Sequence, residues 1–227
     1  MYYSKHSEYI FNFLMNDYNI KRIKGSVEII LGDVSQRYKK RDAVGELLQA
    51  WFAKCLQKNN IYFREKENTQ AFPDFLLSES DKDHFLELKT FNYEASPAFD
   101  IANFDSYCDS LLKNPERLNS DYLIFGYNMD LDSGDLTIKD IWLKKIWELS
   151  SPDGSHPLNI QVKRGTIYNL RPYNFKSDRS NCFNSRKQFV NALNDAIVKF
   201  PNQTSSYSEN WLNKVEELFF SKTGEKI

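Results

Sequence analysis

The sequence predicts an α/β protein built on a central mixed β-sheet flanked by α-helices. Three observations carry that reading. Short apolar runs bounded by polar turns (DFLLS, HFLELKTF and DYLIFGY) read as strands, the last as a buried central one. Other segments repeat their apolar residues at helical spacing. The two kinds of signal are mixed along all 227 residues without a repeat, a low-complexity tract or a linker, so a single domain spanning 1–227 is expected.

The first helix is expected over residues 4–18, with Tyr9, Phe13 and either Ile10 or Leu14 on one side, its aromatics serving as core or dimer contacts. An irregular basic stretch follows, residues 21–41, with seven basic side chains against Glu28 and Asp33. Residues 1–40 thus form an N-terminal helix and basic segment suited to dimerisation or DNA contact. A second helix is expected over 42–57, where Val44, Leu47, Leu48, Trp51, Phe52 and Cys55 recur at helical spacing. From Ile61 the texture changes to short strands, beginning with IYFREKE. Ser96-Pro97 reads as a helix start, a capping side chain followed by proline at the first helical position. The helix after it would bury Ile101, Phe104, Cys108 and Leu111, leaving Asp105 and Asp109 on a solvated face. Residues 138–149 read as another helix, LNIQVKR and TIYNLR as strands, and residues 185–200 and 208–220 as closing helices.

Several chemistries are excluded. The eight glycines are too scattered to write GxGxxG, GxxxxGK[ST] or GxSxG, so no nucleotide cofactor is expected and no nucleophile elbow is present. Cys55, Cys108 and Cys182 form neither a CxxC pair nor a disulfide framework, and His6, His84 and His156 are too few for a His-rich zinc site. The N-terminus lacks the pattern of a signal peptide, and no stretch approaches the roughly 18 apolar residues of a membrane span. A cytoplasmic protein without membrane association is expected.

The segment that carries chemistry is FPDFLLSESDKDHFLELKT, residues 72–90. A hairpin folded symmetrically about Ser80-Asp81 sets Asp74 opposite Glu87, and directly opposed residues share a face with Cβ atoms about 4.5–5.5 Å apart. Lys89, two residues beyond Glu87, shares that face, while Phe75, Leu77, Leu86 and Leu88 turn to the core. Paired carboxylates suit a hard divalent ion such as Mg²⁺, which takes oxygen ligands and keeps several waters. A lysine beside them can stabilise developing charge on a phosphate or orient water. The bland alternative is a Glu87–Lys89 ion pair on an edge strand. His84 falls on the opposite face, as a packed or edge histidine.

With these residues the chain resembles the PD-(D/E)xK nucleases, and within them the type II restriction endonucleases. Pro73-Asp74 and Glu87-Leu88-Lys89 match the two motif halves. The likeness extends over most of the chain after about residue 40 and is similar in element order to the blunt-cutting EcoRV-like branch. Within that branch the chain resembles the NgoBV-like group, which recognises GGNNCC. The resemblance implies a restriction-endonuclease-like fold with Asp74, Glu87 and the Leu88 carbonyl on the metal, Lys89 assisting the attacking water, and 5′-phosphate and 3′-hydroxyl products. Glu46 stands where the family often places an auxiliary acid; it is otherwise an ordinary exposed helical glutamate. Asn68, Thr69 and Gln70 match in position a polar loop that approaches the minor groove, and Asn92 lies just beyond the second motif half. Two features depart from that branch: Glu87 replaces its Asp, and the loop after Leu170 is rich in Arg and Asn instead of Gly.

That loop belongs to residues 163–187, where seven basic side chains face only Asp178. It is a solvated basic face or a DNA contact. Lys163, Arg164, Arg171, Lys176 and Arg179 suit phosphates and guanine, and Asn174 and Asn181 suit adenine edges. The expected activity is therefore Mg²⁺-dependent, site-specific hydrolysis of double-stranded DNA by a homodimer. A structure-specific repair or junction-resolving nuclease of the same fold, and a non-catalytic DNA-binding module, are the alternatives.

Overall fold

A computed structural model describes residues 2–68, 71–176, 181–200 and 210–227. The chain divides into two compact units, Met1–Pro97 with Asp121–Lys144, and Ala98–Ser120 with Lys145–Ile227. The architecture is α/β, as expected, with five α-helices among the described residues.

The first unit is built on a five-stranded mixed sheet of order β1-β8-β7-β5-β4, made of β1 (Lys24–Ser26), β4 (Phe75–Leu76), β5 (Phe85–Asn92), β7 (Asp121–Met129) and β8 (Asp135–Lys145). β5 runs parallel to β7 and antiparallel to β4. β7 is the buried central strand that its unbroken apolar run predicts. Helices α1 (Lys5–Asn12) and α2 (Val44–Lys58) bury Ile10, Val44, Leu48 and Phe52 against Phe75, Leu77, Leu86, Leu88, Leu123 and Phe125. These strand residues alternate along the sequence, so they share one face of the sheet. The first helix continues as a π-helical turn over Phe13–Asp17, and it buries Ile10 and Leu14 while Tyr9 is exposed.

The second unit holds a three-stranded sheet of order β6-β10-β9, with β6 (Ala102–Asn103), β9 (Ile160–Lys163) and β10 (Thr166–Leu170). The turn between β9 and β10 places Arg164 and Gly165 at positive φ, the geometry of a two-residue hairpin. Helices α3 (Phe104–Leu111), α4 (Arg186–Lys199) and α5 (Trp211–Thr223) supply its core, where the Tyr107 and Phe189 rings meet edge-on and Trp211 Nε1 donates to the Cys108 carbonyl. Ser185 caps α4 by accepting from the Gln188 N–H.

Four local expectations are corrected. Residues 21–41 are not irregular: they contain β1 and a hairpin of β2 (Glu28–Leu31) and β3 (Val34–Arg37), turned at Gly32 with φ of +61°. IYFREKE is not a strand and contributes one isolated bridge, Arg64 to Leu76, because its alternation is carried by charged residues with little to bury. No helix starts at Ser96-Pro97; Ile101 N–H donates to the Leu170 carbonyl and β6 pairs with β10, so α3 begins at the Asn103 cap. Residues 138–149 are mainly strand: β8 lies beside β7 in the sheet and also pairs with β1 through Asp135–Thr137, and the helix-like spacing survives only as a 3-10 turn over Ile146–Leu149. A short apolar run rich in β-branched residues fits either period, and the neighbouring strands decide.

Candidate active site

The β4–β5 hairpin sets Phe75 opposite Leu86 and Leu76 opposite Phe85, the register of a fold symmetric about Ser80-Asp81. Asp74, one residue before β4, therefore meets Glu87, and its N–H lies 3.3 Å from Glu87 Oε2. The Asp74 carboxylate accepts the Leu88 N–H at 2.8 Å, and Lys89 Nζ donates to Glu87 Oε1 at 3.0 Å. Glu87 is buried, so this is no loose surface pair.

Pro73 explains part of the arrangement. Leu77 N–H donates to the His84 carbonyl, so positions 77 and 84, 75 and 86, and by extension 73 and 88 form the hydrogen-bonded class of the ladder. Proline has no N–H to give to Leu88. The Leu88 N–H is taken up by Asp74 instead, and the Leu88 carbonyl, on the same edge of the strand, receives no ladder donor from Pro73.

Helix α2 completes the site from the core side. Gly45 stands so close to β5 that a Cβ there would lie 3.1 Å from Thr90 Oγ1. One turn later Gln49 Nε2 donates to Asp74 Oδ1 at 3.2 Å. Gln49 is the site residue that the sequence does not announce, since its contact depends on how α2 sits over the sheet. Glu46 itself is exposed on the same helix.

Burial, and then the neighbouring Glu87 charge, push the Asp74 carboxyl up to about 6, against the stabilising Leu88 N–H, Lys89 and Gln49. Two carboxylates with a single lysine make a site short of positive charge. Its donor set of carboxylate oxygens plus a main-chain carbonyl fits a hard divalent cation. Among the described residues no group of three or more His, Cys, Asp and Glu side chains gathers to hold a metal, so the carboxylate pair here would hold one only with main-chain oxygen and water.

The other sequence candidates fall as follows. Asn68 is exposed, and Asn92 ends β5 with its Oδ1 buried and without a hydrogen-bond partner among the described residues. Lys163 and Arg164 are exposed at the tip of the β9–β10 hairpin, with Lys163 Nζ 4.2 Å from the centre of the Tyr168 ring. Arg171 is engaged by Asp100 at 2.6 Å and by the Ala98 carbonyl. Asn174 and Asn181 are exposed and Lys176 is half-buried. Thr69, Gln70 and Arg179 lie outside the described residues. His84 packs at an edge, its Nδ1 2.7 Å from Ser4 Oγ and its ring against His6.

The family described as NgoBV restriction endonuclease matches residues 4–227. The chain belongs to that family. It is 38% identical to the type II restriction enzyme NlaIV of Neisseria lactamica over 217 residues, covering 94% of this chain and 88% of that one. It is 37% identical to the type II restriction enzyme NgoBV of Neisseria gonorrhoeae over 159 residues, 70% of this chain and 90% of the relative. The solved structure of NlaIV restriction endonuclease superposes with a TM-score of 0.89 over 97% of this chain and 91% of its own. Family membership extends across both units, and the Asp74–Glu87–Lys89 cluster lies wholly in the first.

Proposed function

We propose that the chain is a type II restriction endonuclease, which hydrolyses phosphodiester bonds of double-stranded DNA at a defined sequence with Mg²⁺ and leaves 5′-phosphate ends. The observation that carries the reading is the convergence of Asp74, Glu87 and Lys89 in a chain whose relatives are named restriction enzymes. Asp74, Glu87 and the Leu88 carbonyl would hold the ion, which when bound supplies charge neutralisation and acidifies a water for attack on phosphorus. Lys89 Nζ, held by Glu87, orients that water or donates to the phosphate as negative charge develops. Gln49 keeps the Asp74 carboxylate turned toward the β5 edge, and Glu46 serves as an auxiliary acid. Without a cation the carboxylate pair repels phosphate, so productive engagement of DNA depends on metal.

In this reading both units serve one endonuclease domain over residues 1–227. Lys163, Arg164, Arg171, Lys176, Arg179, Asn174 and Asn181 contact DNA from the second unit's segments, and Asn68, Thr69, Gln70 and Asn92 do so from the first's. One active site cuts one strand, so a homodimer matches a twofold duplex. The reaction needs no nucleotide cofactor and takes place in the cytoplasm. Among the described residues no helix is long and apolar enough to cross a membrane.

The test is a limit digest of a plasmid of known sequence in Mg²⁺, with the fragment ends sequenced. Discrete fragments sharing one sequence at their ends, each end carrying a 5′-phosphate, are expected. Smears or nicks without a common sequence would instead indicate a structure-selective nuclease.

A further inference from the structure

Each of the four carboxylate oxygens of Asp74 and Glu87 accepts a hydrogen bond from the chain itself. Gln49 Nε2 donates to Asp74 Oδ1 at 3.2 Å, and the Leu88 N–H donates to Oδ2 at 2.8 Å. The Asp74 N–H lies 3.3 Å from Glu87 Oε2, and Lys89 Nζ donates to Oε1 at 3.0 Å. These donors differ in whether they can leave. The Leu88 and Asp74 N–H groups are main chain and stay where the β4–β5 hairpin fixes them. Gln49 carries no charge. Lys89 is both charged and mobile, an ammonium on a flexible four-carbon stem.

The Lys89–Glu87 pair is also enclosed, its side chains 20% and 10% exposed. Water therefore screens its attraction far less than that of a surface pair, and screens equally little the repulsion between this ammonium and any cation placed on the same carboxylate.

We propose that Lys89 is the built-in counter-ion of the site and exchanges with the divalent cation. Lys89 gives up Glu87 Oε1 as the ion is taken up, and only then is Nζ free for the water or phosphate it serves. Cation binding and the arming of Lys89 are then one event, and the ammonium is withheld on a carboxylate until that event. The inference rests on the endonuclease reading, in which Asp74, Glu87 and the Leu88 carbonyl hold the ion. It also fixes a sign that a supporting role would not have. A lysine that merely steadies Glu87 helps the site take a cation, whereas a lysine that competes for Glu87 opposes it.

The test is Mn²⁺ binding to the full chain without DNA, read from the electron paramagnetic resonance of the free ion, for wild type, Lys89→Met, Lys89→Gln and Lys89→Arg. The two neutral variants are expected to bind Mn²⁺ at least about 10-fold more tightly than wild type. Lys89→Arg, which keeps a cation beside Glu87, is expected to bind as weakly as wild type. Neutral variants that keep the wild-type circular dichroism yet bind Mn²⁺ equally or more weakly would overturn the proposal, as would an arginine variant that binds as tightly as they do. A second measurement needs no substitution: acylation of Lys89 by an amine reagent, followed by peptide mass spectrometry, should run several-fold faster with saturating Mn²⁺ than without. A rate unchanged or lowered by Mn²⁺ would likewise overturn it. Plasmid cleavage by wild type in Mg²⁺, scored in parallel, separates the two readings. Cleavage without tighter binding in the neutral variants removes the exchange alone, whereas a wild type that neither binds Mn²⁺ nor cleaves removes both.

Discussion

Asp74 is held by opposing forces. Burial and Glu87 favour its protonated form, while the Leu88 N–H, Lys89 and Gln49 favour the ionised one, and the carboxyl stands raised from 3.8 to about 6. A carboxyl with a folded pKa above its unfolded one binds its proton more tightly in the fold. The stabilisation is therefore complete below about pH 3.8 and is lost as pH rises through about 6. Ionisation in the metal-free fold then costs on the order of 2–3 kcal/mol. Thermal melts of metal-free wild type and Asp74→Asn from pH 4 to 8 check this. The wild-type Tm should fall relative to the variant's across that window, by roughly 4–10 °C. A difference that is flat or rises with pH would count against it. The Asp-Glu-Lys cluster was legible in the sequence because strand alternation and one turn position determine it. Gln49 was not, since its contact depends on how α2 is rotated over the sheet, which no local pattern encodes.

At the scale of elements, β7 shows where packing leaves no room. A Cβ at Gly126 would lie 2.9 Å from Trp142 Cζ3 and 2.9 Å from Tyr93 Cδ2, two rings that stack with centroids 6.3 Å apart. Gly126→Ala should therefore cost about 1–3 kcal/mol through overpacking, read as a lower midpoint in denaturant unfolding. A midpoint equal to wild type would show that the rings yield freely. The same strand was an easy element to read, because an unbroken apolar run between polar turns fits a strand buried on both faces. Residues 138–149 predict a helix because Ile138, Ile141 and Leu149 also satisfy a helical period, although the segment spans the end of β8 and the 3-10 turn after it. The Ser96-Pro97 signal was genuine local chemistry overridden by pairing with β10.

For the whole molecule, a net charge of −1 conceals opposed segments: residues 21–41 and 163–187 are basic, and residues 130–153 carry six acids against three lysines. Net charge alone argues against a nucleic-acid partner, whereas its distribution along the chain allows one. The two-unit division was illegible because it leaves and re-enters the first unit at residues 97, 121 and 144, where no change of composition marks the chain. The proposed cleavage depends above all on Lys89 acting beside a metal-binding carboxylate pair. Single-turnover cleavage of a duplex bearing the cut site, wild type against Lys89→Ala in Mg²⁺, tests this directly. The account predicts a rate lowered by about 10²–10⁴-fold with DNA affinity and Tm near those of wild type. Cleavage by Lys89→Ala at the wild-type rate would contradict it.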